Sequence, residues 1–126
     1  MIKNVFYIFF ETVFKKIFKF QGRSNKKEYL VFIAFETVIF TTIYIYLDKV
    51  KGIPSTFDFV ILIIGLIFIL IHLVASTSLT IRRLHDCNLK GWWYLLSLIF
   101  SPIIFLILCL VKGDKGKNKY GEPPEY

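Results

Sequence analysis

Apolar residues gather in three long stretches that polar, lysine-rich segments separate. The stretches run from Tyr29 to Leu47, from Phe59 to Leu79 and from Trp92 to Val111. Each is close to the ~20 residues that an α-helix needs to cross a bilayer. The pattern therefore predicts an all-α integral membrane bundle of three transmembrane helices. Its spans lie at about residues 29–47, 59–79 and 92–111, within a domain of residues 22–111.

The first 21 residues carry a second pattern, in which apolar side chains recur at helical spacing with lysines between them. The apolar positions are Ile2, Phe6, Phe9, Val13, Ile17 and Phe20. Such a segment is typical of a helix on a membrane surface, where phenylalanines enter the headgroup boundary and lysines meet anionic lipid. We predict an N-terminal amphipathic interfacial helix over residues 1–21; a helix packed against the bundle is the alternative.

Polar segments connect and follow the predicted spans. Gly22 to Lys27 forms a break in which Ser24 or Asn25 can cap the helix that follows. The loop from Asp48 to Asp58 is too short for a domain and is predicted to be an external hairpin. Residues 112–126 contain few apolar side chains and predict a solvated polar C-terminal tail.

The distribution of lysine and arginine predicts the orientation of this bundle. Seven precede the first span, two lie in the loop 48–58, three lie in the segment 80–91 and four follow the third span. With three spans, the side of the N-terminus carries ten and the other side six, so the positive-inside rule places the N-terminus in the cytoplasm. Pro102 divides the third stretch, so a re-entrant hairpin that returns the tail to the cytoplasm is the alternative to a kinked span.

Composition narrows the classes of function. Of 126 residues, 56% are hydrophobic, and little chain remains for a water-soluble domain with an enclosed active site. The net charge of +7 comes from residues that flank the spans and meet lipid headgroups there, so no nucleic-acid partner is predicted. Cys87 and Cys109 fall at opposite ends of a predicted span, about a membrane thickness apart, and no disulfide between them is expected.

Two ionisable residues, Glu36 and His72, lie within the predicted spans. The helical rise places them ~10 Å and ~15 Å from the same membrane face, so their side chains can touch. A charge at this depth costs several kcal/mol unless it faces protein or water. The pair is therefore either a hydrogen-bonded structural contact or part of a proton or ion pathway.

The densest polar cluster surrounds the cytoplasmic ends of the first two spans. We predict a binding cluster there that consists of Arg23, Glu28, Arg82, Arg83, His85 and Asp86. One acidic residue would pair with an arginine to fix the helix ends, while the other arginine and His85 bind an anionic headgroup or a partner protein. Aromatic interface anchors follow directly at Trp92, Trp93 and Tyr94. Because no nucleophile motif, phosphate-binding loop or metal-ligand spacing occurs, we expect neither an enzyme nor a metal or cofactor site.

Three blocks of the chain resemble a known family. The first runs from Gly22 to Tyr29, the second combines Arg82 to Asp86 with Gly91-Trp92-Trp93, and the third comprises Gly113, Gly116, Asn118, Tyr120, Gly121 and Pro124. In this order and spacing they resemble the YhaH-like family of small bacterial inner-membrane proteins, grouped as domain of unknown function 805. The chain departs from the family pattern at Lys26, Leu30, Asn88 and Lys90. The resemblance implies the inner membrane and a defined shape for the tail, but no activity.

These observations predict a multi-pass protein of the bacterial cytoplasmic (inner) membrane that acts as a binding or scaffold module. Anionic lipid headgroups are the expected partners, together with a membrane-protein partner or a second copy of the chain. The alternative is a small transporter or channel subunit that uses Glu36 and His72. That alternative requires oligomerisation, because three helices enclose little space. A purely structural membrane component is the third possibility.

Overall fold

The computed structural model of the chain describes residues 2–49 and 55–124. Within these ranges the fold is all-α, as predicted, and the only β-type contact is an isolated bridge between Asn118 and Gly121. The helical elements are α1 (Ile2–Phe10), a π-helical turn (Glu11–Lys15), α2 (Lys26–Lys49), α3 (Thr56–Asp86), a 3-10 turn (Gly91–Trp93), α4 (Tyr94–Ile99) and α5 (Ser101–Leu110).

The two long helices, α2 and α3, are the candidate membrane spans. They contain 24 and 31 residues, with mean hydropathies of 2.0 and 3.0 in their most apolar windows. At the α-helical rise they are about 36 Å and about 46 Å long, enough to cross the ~30 Å hydrocarbon core. Only 6% and 11% of those windows are buried inside the protein. The helices are therefore not the enclosed core of a soluble domain, because their apolar surface faces outward.

Local capping explains where these helices begin. The Asn25 side chain accepts the backbone N–H of Glu28 at 2.7 Å and starts α2, as the sequence predicted. Ser55 starts α3 with a capping box, in which its hydroxyl accepts the Asp58 N–H while the Asp58 carboxylate accepts the Ser55 N–H. Residues 50–54 of the predicted external hairpin lie outside the described residues.

The third apolar stretch is not among the described helices long enough to cross a membrane, so the third predicted span is not confirmed. It folds into two short helices, α4 and α5, that pack against each other and are separated at Phe100. Its start lies beside the end of α3, where a Cβ on Gly91 would come within 3.1 Å of the His85 ring. Its end lies there too, because Arg83 donates to the carbonyls of Leu108 and Val111. The stretch is a helical hairpin that returns to its starting point.

The N-terminal segment packs along α2. Helical structure ends at Lys15, earlier than the predicted residue 21. Phe9 and Val13 are buried, and the Phe9 ring stacks on Phe35 with centroids 4.4 Å apart. Other aromatic side chains of this segment are exposed, at Tyr7, Phe10, Phe14 and Phe18. The inner face of the segment thus packs against the bundle, which was the alternative prediction. The exposed aromatic side chains are as expected for a helix at the membrane surface.

The hydrophobic core lies at one end of the molecule, where α2 begins and α3 ends; we call this the basal end and the opposite one the apical end. The buried residues of α2 lie within 28–32, and those of α3 lie within 72–86. No described residue between 33 and 71 is buried. At the apical end α2 and α3 are therefore the only described helices, and most of their side chains are exposed.

The C-terminal segment folds onto the basal end, so it is held in place and not loose, although most of its side chains are exposed as predicted for a solvated tail. Asp114 donates its backbone N–H to the Asp86 carbonyl at 2.9 Å. A Cβ on Gly113 would lie 1.8 Å from the Asp86 carboxylate, so only glycine permits this approach. Composition indicated disorder because the segment has few apolar groups; polar contacts fix it instead.

Candidate functional site

All six residues of the predicted cluster meet at the basal end, in two connected groups. The first group surrounds Glu28, which is 1% exposed. Arg82 Nη1 donates to Glu28 Oε1 at 3.0 Å, and Lys16 Nζ lies 3.5 Å from the same oxygen. The Thr12 hydroxyl donates to Oε1 at 3.0 Å and the Ser24 hydroxyl to Oε2 at 2.8 Å. One carboxylate thus joins the N-terminal segment to α2 and α3.

The second group surrounds Asp86. Arg23 directs Nε and Nη2 at its Oδ1, at 3.0 Å and 2.9 Å, and Arg83 Nη1 contacts its Oδ2. Both arginine side chains and the aspartate are enclosed, with 5% or less of each side chain exposed. Charge-assisted contacts of this kind are the stronger hydrogen bonds in proteins. Asp86 therefore bridges two guanidinium groups.

The remaining donors of these arginines bind backbone carbonyls. Arg23 Nη1 donates to Gly116 O at 2.6 Å and to Gly121 O at 3.3 Å, while Nη2 donates to Asp114 O. Arg83 Nε donates to Leu108 O at 3.1 Å, within the last turn of α5. A cation there satisfies carbonyls that the helix leaves unpaired. Each arginine thus fastens a distant part of the chain to the end of α3.

His85 holds the C-terminal segment from the other side. Its ring stacks on Tyr120, with centroids 3.8 Å apart and planes 9° apart. Its Nδ1 lies 3.1 Å from the Gly22 carbonyl, and since a carbonyl only accepts, Nδ1 carries the hydrogen in this contact. The Asn118 amide donates to the His85 carbonyl at 3.0 Å. His85 is 9% exposed, and its ring face, its Nδ1 and its backbone carbonyl each have a partner.

That one arginine and His85 bind a ligand stays a prediction, but the structure leaves neither Arg82 nor Arg83 exposed. Arg82 and Arg83 are both buried, and each has an acidic partner. Among the side-chain donors of Arg82 and Arg83, Nε and Nη2 of Arg82 have no hydrogen-bond partner in the protein, and both are sealed from solvent. A buried donor of this kind is usually satisfied by an internal water. The cluster is therefore a structural junction and presents no open arginine surface.

Glu36 and His72 are also brought together. His72 Nε2 lies 3.2 Å from Glu36 Oε1, although the angles do not make this contact a hydrogen bond. His72 is 2% exposed and its ring stacks on Phe32 at 4.8 Å, with Phe40 edge-on at 5.5 Å. The Glu36 side chain is 24% exposed. The pair joins α2 to α3 at the upper limit of the core.

An apolar cleft of about 470 Å³ lies between α2 and α3 toward the apical end. It is lined by Thr42, Ile43, Tyr46, Leu47, Ile61, Leu62, Gly65, Leu66 and Ile69. The Thr42 hydroxyl donates to the Val38 carbonyl of its own helix at 2.8 Å. At the apical rim, the Tyr46 hydroxyl donates to the Asp58 carboxylate at 2.8 Å. Between that contact and the Glu36–His72 pair, the cleft presents almost no polar surface.

The predicted aromatic anchors occupy two different settings. Trp92 and Trp93 stack on each other at 4.7 Å and are exposed at the basal end, where anchors of this type are expected. Tyr94 instead points to α3, with its hydroxyl 2.9 Å from the Thr77 hydroxyl. It thereby fixes the start of the hairpin.

Cys87 and Cys109 are both free, but they do not lie at opposite ends of a span as predicted. They lie at the same end of the molecule, because Arg83 contacts both Asp86 and Leu108, their chain neighbours. Burial raises the pKa of the Cys87 thiol. Among the described residues, no group of three or more His, Cys, Asp or Glu side chains could hold a metal ion.

Sequence reasoning missed the polar partners that complete the cluster. Thr12 and Ser24 bind Glu28, but an isolated hydroxyl carries no signal of this role. Gly116, Asn118 and Tyr120 contact Arg23 or His85. Their one signal was the third block of the family resemblance.

Comparison with known proteins identifies the family of the chain. The family model described as "Protein of unknown function (DUF805)" matches residues 17–122. The chain is 29% identical over 119 residues to inner membrane protein YhaI of Escherichia coli K12, covering 91% of this chain and 93% of that protein. It is 32% identical over 115 residues to inner membrane protein YhaH of the same strain, covering 90% and 93%. No solved structure matches the chain. The chain therefore belongs to the DUF805 family, whose function is unknown and whose curated relatives are inner membrane proteins.

Proposed function

We propose that the protein crosses the bacterial inner membrane twice, through α2 and α3, with the basal end in the cytoplasm. The α4–α5 hairpin enters from the cytoplasmic side and returns to it. Of the sixteen lysines and arginines, fourteen fall in the sequence segments at the basal end and two in the loop 48–58. This bias is much stronger than the ten to six of a three-span arrangement, and it agrees with the positive-inside rule.

In this orientation the protein acts as a membrane-embedded scaffold that presents a rigid basic surface to the cytoplasm. The observation that carries the proposal is the anchoring of the C-terminal segment by Arg23 and His85. A segment with few apolar side chains would otherwise be disordered. Holding it in one shape fixes the positions of its charges, which favours selective binding because less ordering is needed when a partner arrives.

The charges on that surface are lysines, because the three arginines are consumed internally. Lys112, Lys115, Lys117 and Lys119 are exposed on the C-terminal segment. One of them is neutralised, since Lys117 Nζ lies 3.2 Å from Glu122. A second basic face, with Lys15, Lys19 and Lys27, lies near the start of α2, where it meets anionic headgroups. We assign the C-terminal lysines to an acidic surface of a protein partner and the N-terminal lysines to lipid.

Crosslinking in native membranes followed by affinity purification tests this assignment. The natural chain is compared with a Lys115→Glu, Lys117→Glu, Lys119→Glu variant at equal abundance. The matched control is Lys15→Glu, Lys19→Glu, Lys27→Glu, which makes the same change of charge at the same end. Loss of a partner from the first variant alone supports the scaffold. Equal loss of the partner from both variants would show that only the total charge matters, which contradicts the assignment of the partner to the C-terminal lysines. Capture of no partner in any sample refutes the proposal.

The alternative of a small transporter or channel subunit rests on the Glu36–His72 contact. From His72 to Asp58 the helix rises about 20 Å past an almost wholly apolar cleft. A proton or ion needs polar groups or water along its path, so a path through this region would have to be built between copies. Flux into proteoliposomes that is lost in a Glu36→Gln, His72→Ala variant would favour this alternative over the scaffold.

A further inference from the structure

The described helices are divided unequally between the two halves of the molecule. Helices α1, α4 and α5 all pack beside the basal halves of α2 and α3. They contain 9, 6 and 10 residues, so each is only about 9 to 15 Å long, half or less of the ~30 Å hydrocarbon core. Five helices therefore share the basal half, whereas two make up the apical half.

The apical half has the surface of a protein that lipid surrounds. The large exposed side chains of α3 in this half are apolar, as at Val60, Ile63 and Leu66. The hydroxyls of Thr37 and Thr42 are satisfied by carbonyls of their own helix, at 2.9 Å and 2.8 Å. Hydroxyls paired in this way need no partner on a neighbouring helix. The acyl chains of the outer leaflet are the occupant that this chemistry fits.

We propose that the protein is a wedge that prefers curved membrane, with a wide part in the cytoplasmic leaflet and a narrow part in the outer leaflet. The inference rests on the two-span topology with a half-inserted hairpin proposed above. A wedge-shaped protein displaces more lipid area in the leaflet that holds its wide part than in the other leaflet. A curved bilayer has more area in its convex leaflet than in its concave one, so the wide part fits best in a convex leaflet. Segments inserted in one leaflet are sensitive to curvature for the same reason. The protein therefore accumulates where the cytoplasmic leaflet is convex.

The test uses the full-length protein reconstituted into small and large vesicles of one lipid composition. A Lys117→Cys label reports the basal end and a Lys49→Cys label reports the apical end, each read with a membrane-impermeant maleimide against the labelling of the natural cysteines. In a small vesicle the outer leaflet is strongly convex. We expect a larger fraction of basal ends facing outward in small than in large vesicles, and the opposite change for the apical label. An equal fraction in both vesicle sizes overturns the wedge.

Two matched variants then ask whether the wide part causes the bias. Phe10→Ala, Phe14→Ala, Phe18→Ala removes aromatic side chains that are 53% to 74% exposed in the basal half. Tyr44→Ala, Phe57→Ala, Phe59→Ala removes side chains that are 53% to 72% exposed in the apical half. The first variant is expected to weaken the orientation bias, and the second is expected to keep or strengthen it. Equal weakening by both would assign the bias to hydrophobicity rather than shape.

A third measurement asks whether a second copy of the chain, and not lipid, covers the apical half. The two labels also test the two-span topology on which the wedge rests. Single-molecule photobleaching counts the copies per particle: single copies are expected, and dimers that join through the apical half would overturn the proposal, because the partner would fill the narrow part. If both labels lie on the same side of the vesicles, the two-span topology itself fails. Intact topology without size dependence instead refutes the wedge alone.

Discussion

Replacing Arg23 by alanine isolates the contact that holds the C-terminal segment. The change removes two contacts to Asp86 and the hydrogen bonds to three carbonyls, at Asp114, Gly116 and Gly121. Loss of one partner from a buried ion pair costs ~3–5 kcal/mol. Asp86 keeps Arg83 as a partner and the freed carbonyls meet water, so we expect the lower end of that range, about 3 kcal/mol.

This energy sets the size of the effect on the segment. Since 1.4 kcal/mol is a factor of ten, the ratio of docked to undocked segment falls on the order of 100-fold. A protease that cleaves after lysine can measure this ratio at Lys115 and Lys117. When undocking is fast, the cleavage rate follows the population of the undocked segment. The substitution leaves the set of cleavage sites unchanged. We expect cleavage of the C-terminal segment to accelerate by up to that factor.

The control is Glu122→Ala, which breaks the pair with Lys117. Both of these side chains are about 70% exposed, and surface pairs contribute little, so cleavage should change by no more than about five-fold. The cleavage rate of Arg23→Lys should fall between the two, since one ammonium cannot replace a guanidinium fork that reaches four acceptor atoms. If Arg23→Ala and the natural chain are cleaved at the same rate, the segment is not held by this arginine and the reasoning is refuted.

Three further predictions test other parts of the basal end. Glu28→Ala leaves its guanidinium partner buried without an acceptor and should destabilise the fold by ~3–5 kcal/mol, measured by denaturant unfolding in detergent. Gly113→Ala places a methyl group against the aspartate of the cluster and should release the C-terminal segment, whereas Gly116→Ala, which has no neighbour within 4 Å, should not; proteolysis compares them. In a Cys109→Ala background, the raised pKa of Cys87 should shift its maleimide reaction to higher pH than in the unfolded chain, and coincident pH profiles would contradict the burial.

The contacts of the arginine–carboxylate cluster favour a structural role over the surface role that the sequence pattern predicts. Charged residues beside an apolar span are expected to anchor the helix or bind headgroups. Here three guanidinium groups and two carboxylates are enclosed together, and their donors reach the backbone of segments that are distant in sequence. Removing any one partner leaves another charge buried, so these positions should be sensitive to substitution for structural reasons. The exposed lysines of the C-terminal segment are the residues through which binding of a partner should be sought.

Local pattern was sufficient for the two long helices and for the cap of α2. The apolar stretches of α2 and α3, the cap at Asn25 and the contact between Glu36 and His72 follow from periodicity and helical rise, which act over a few turns. Asn88, one of the departures from the family pattern, has a φ of 59°, a left-handed conformation that asparagine tolerates. Membership of an inner-membrane family could also be inferred from three short blocks.

Tertiary contacts decided the rest, because they join residues whose relation no local pattern records. A stretch of twenty apolar residues can cross a bilayer or fold back within it, and length cannot distinguish the two; the bonds from Arg83 to the end of α5 make it return. The C-terminal segment has too few apolar groups to fold by burial. It is held by Arg23, whose carbonyl acceptors lie 91 to 98 residues away in the chain. The sequence by itself determined which segments are helical and apolar, and the tertiary structure determined which charges are enclosed and where the chain turns back.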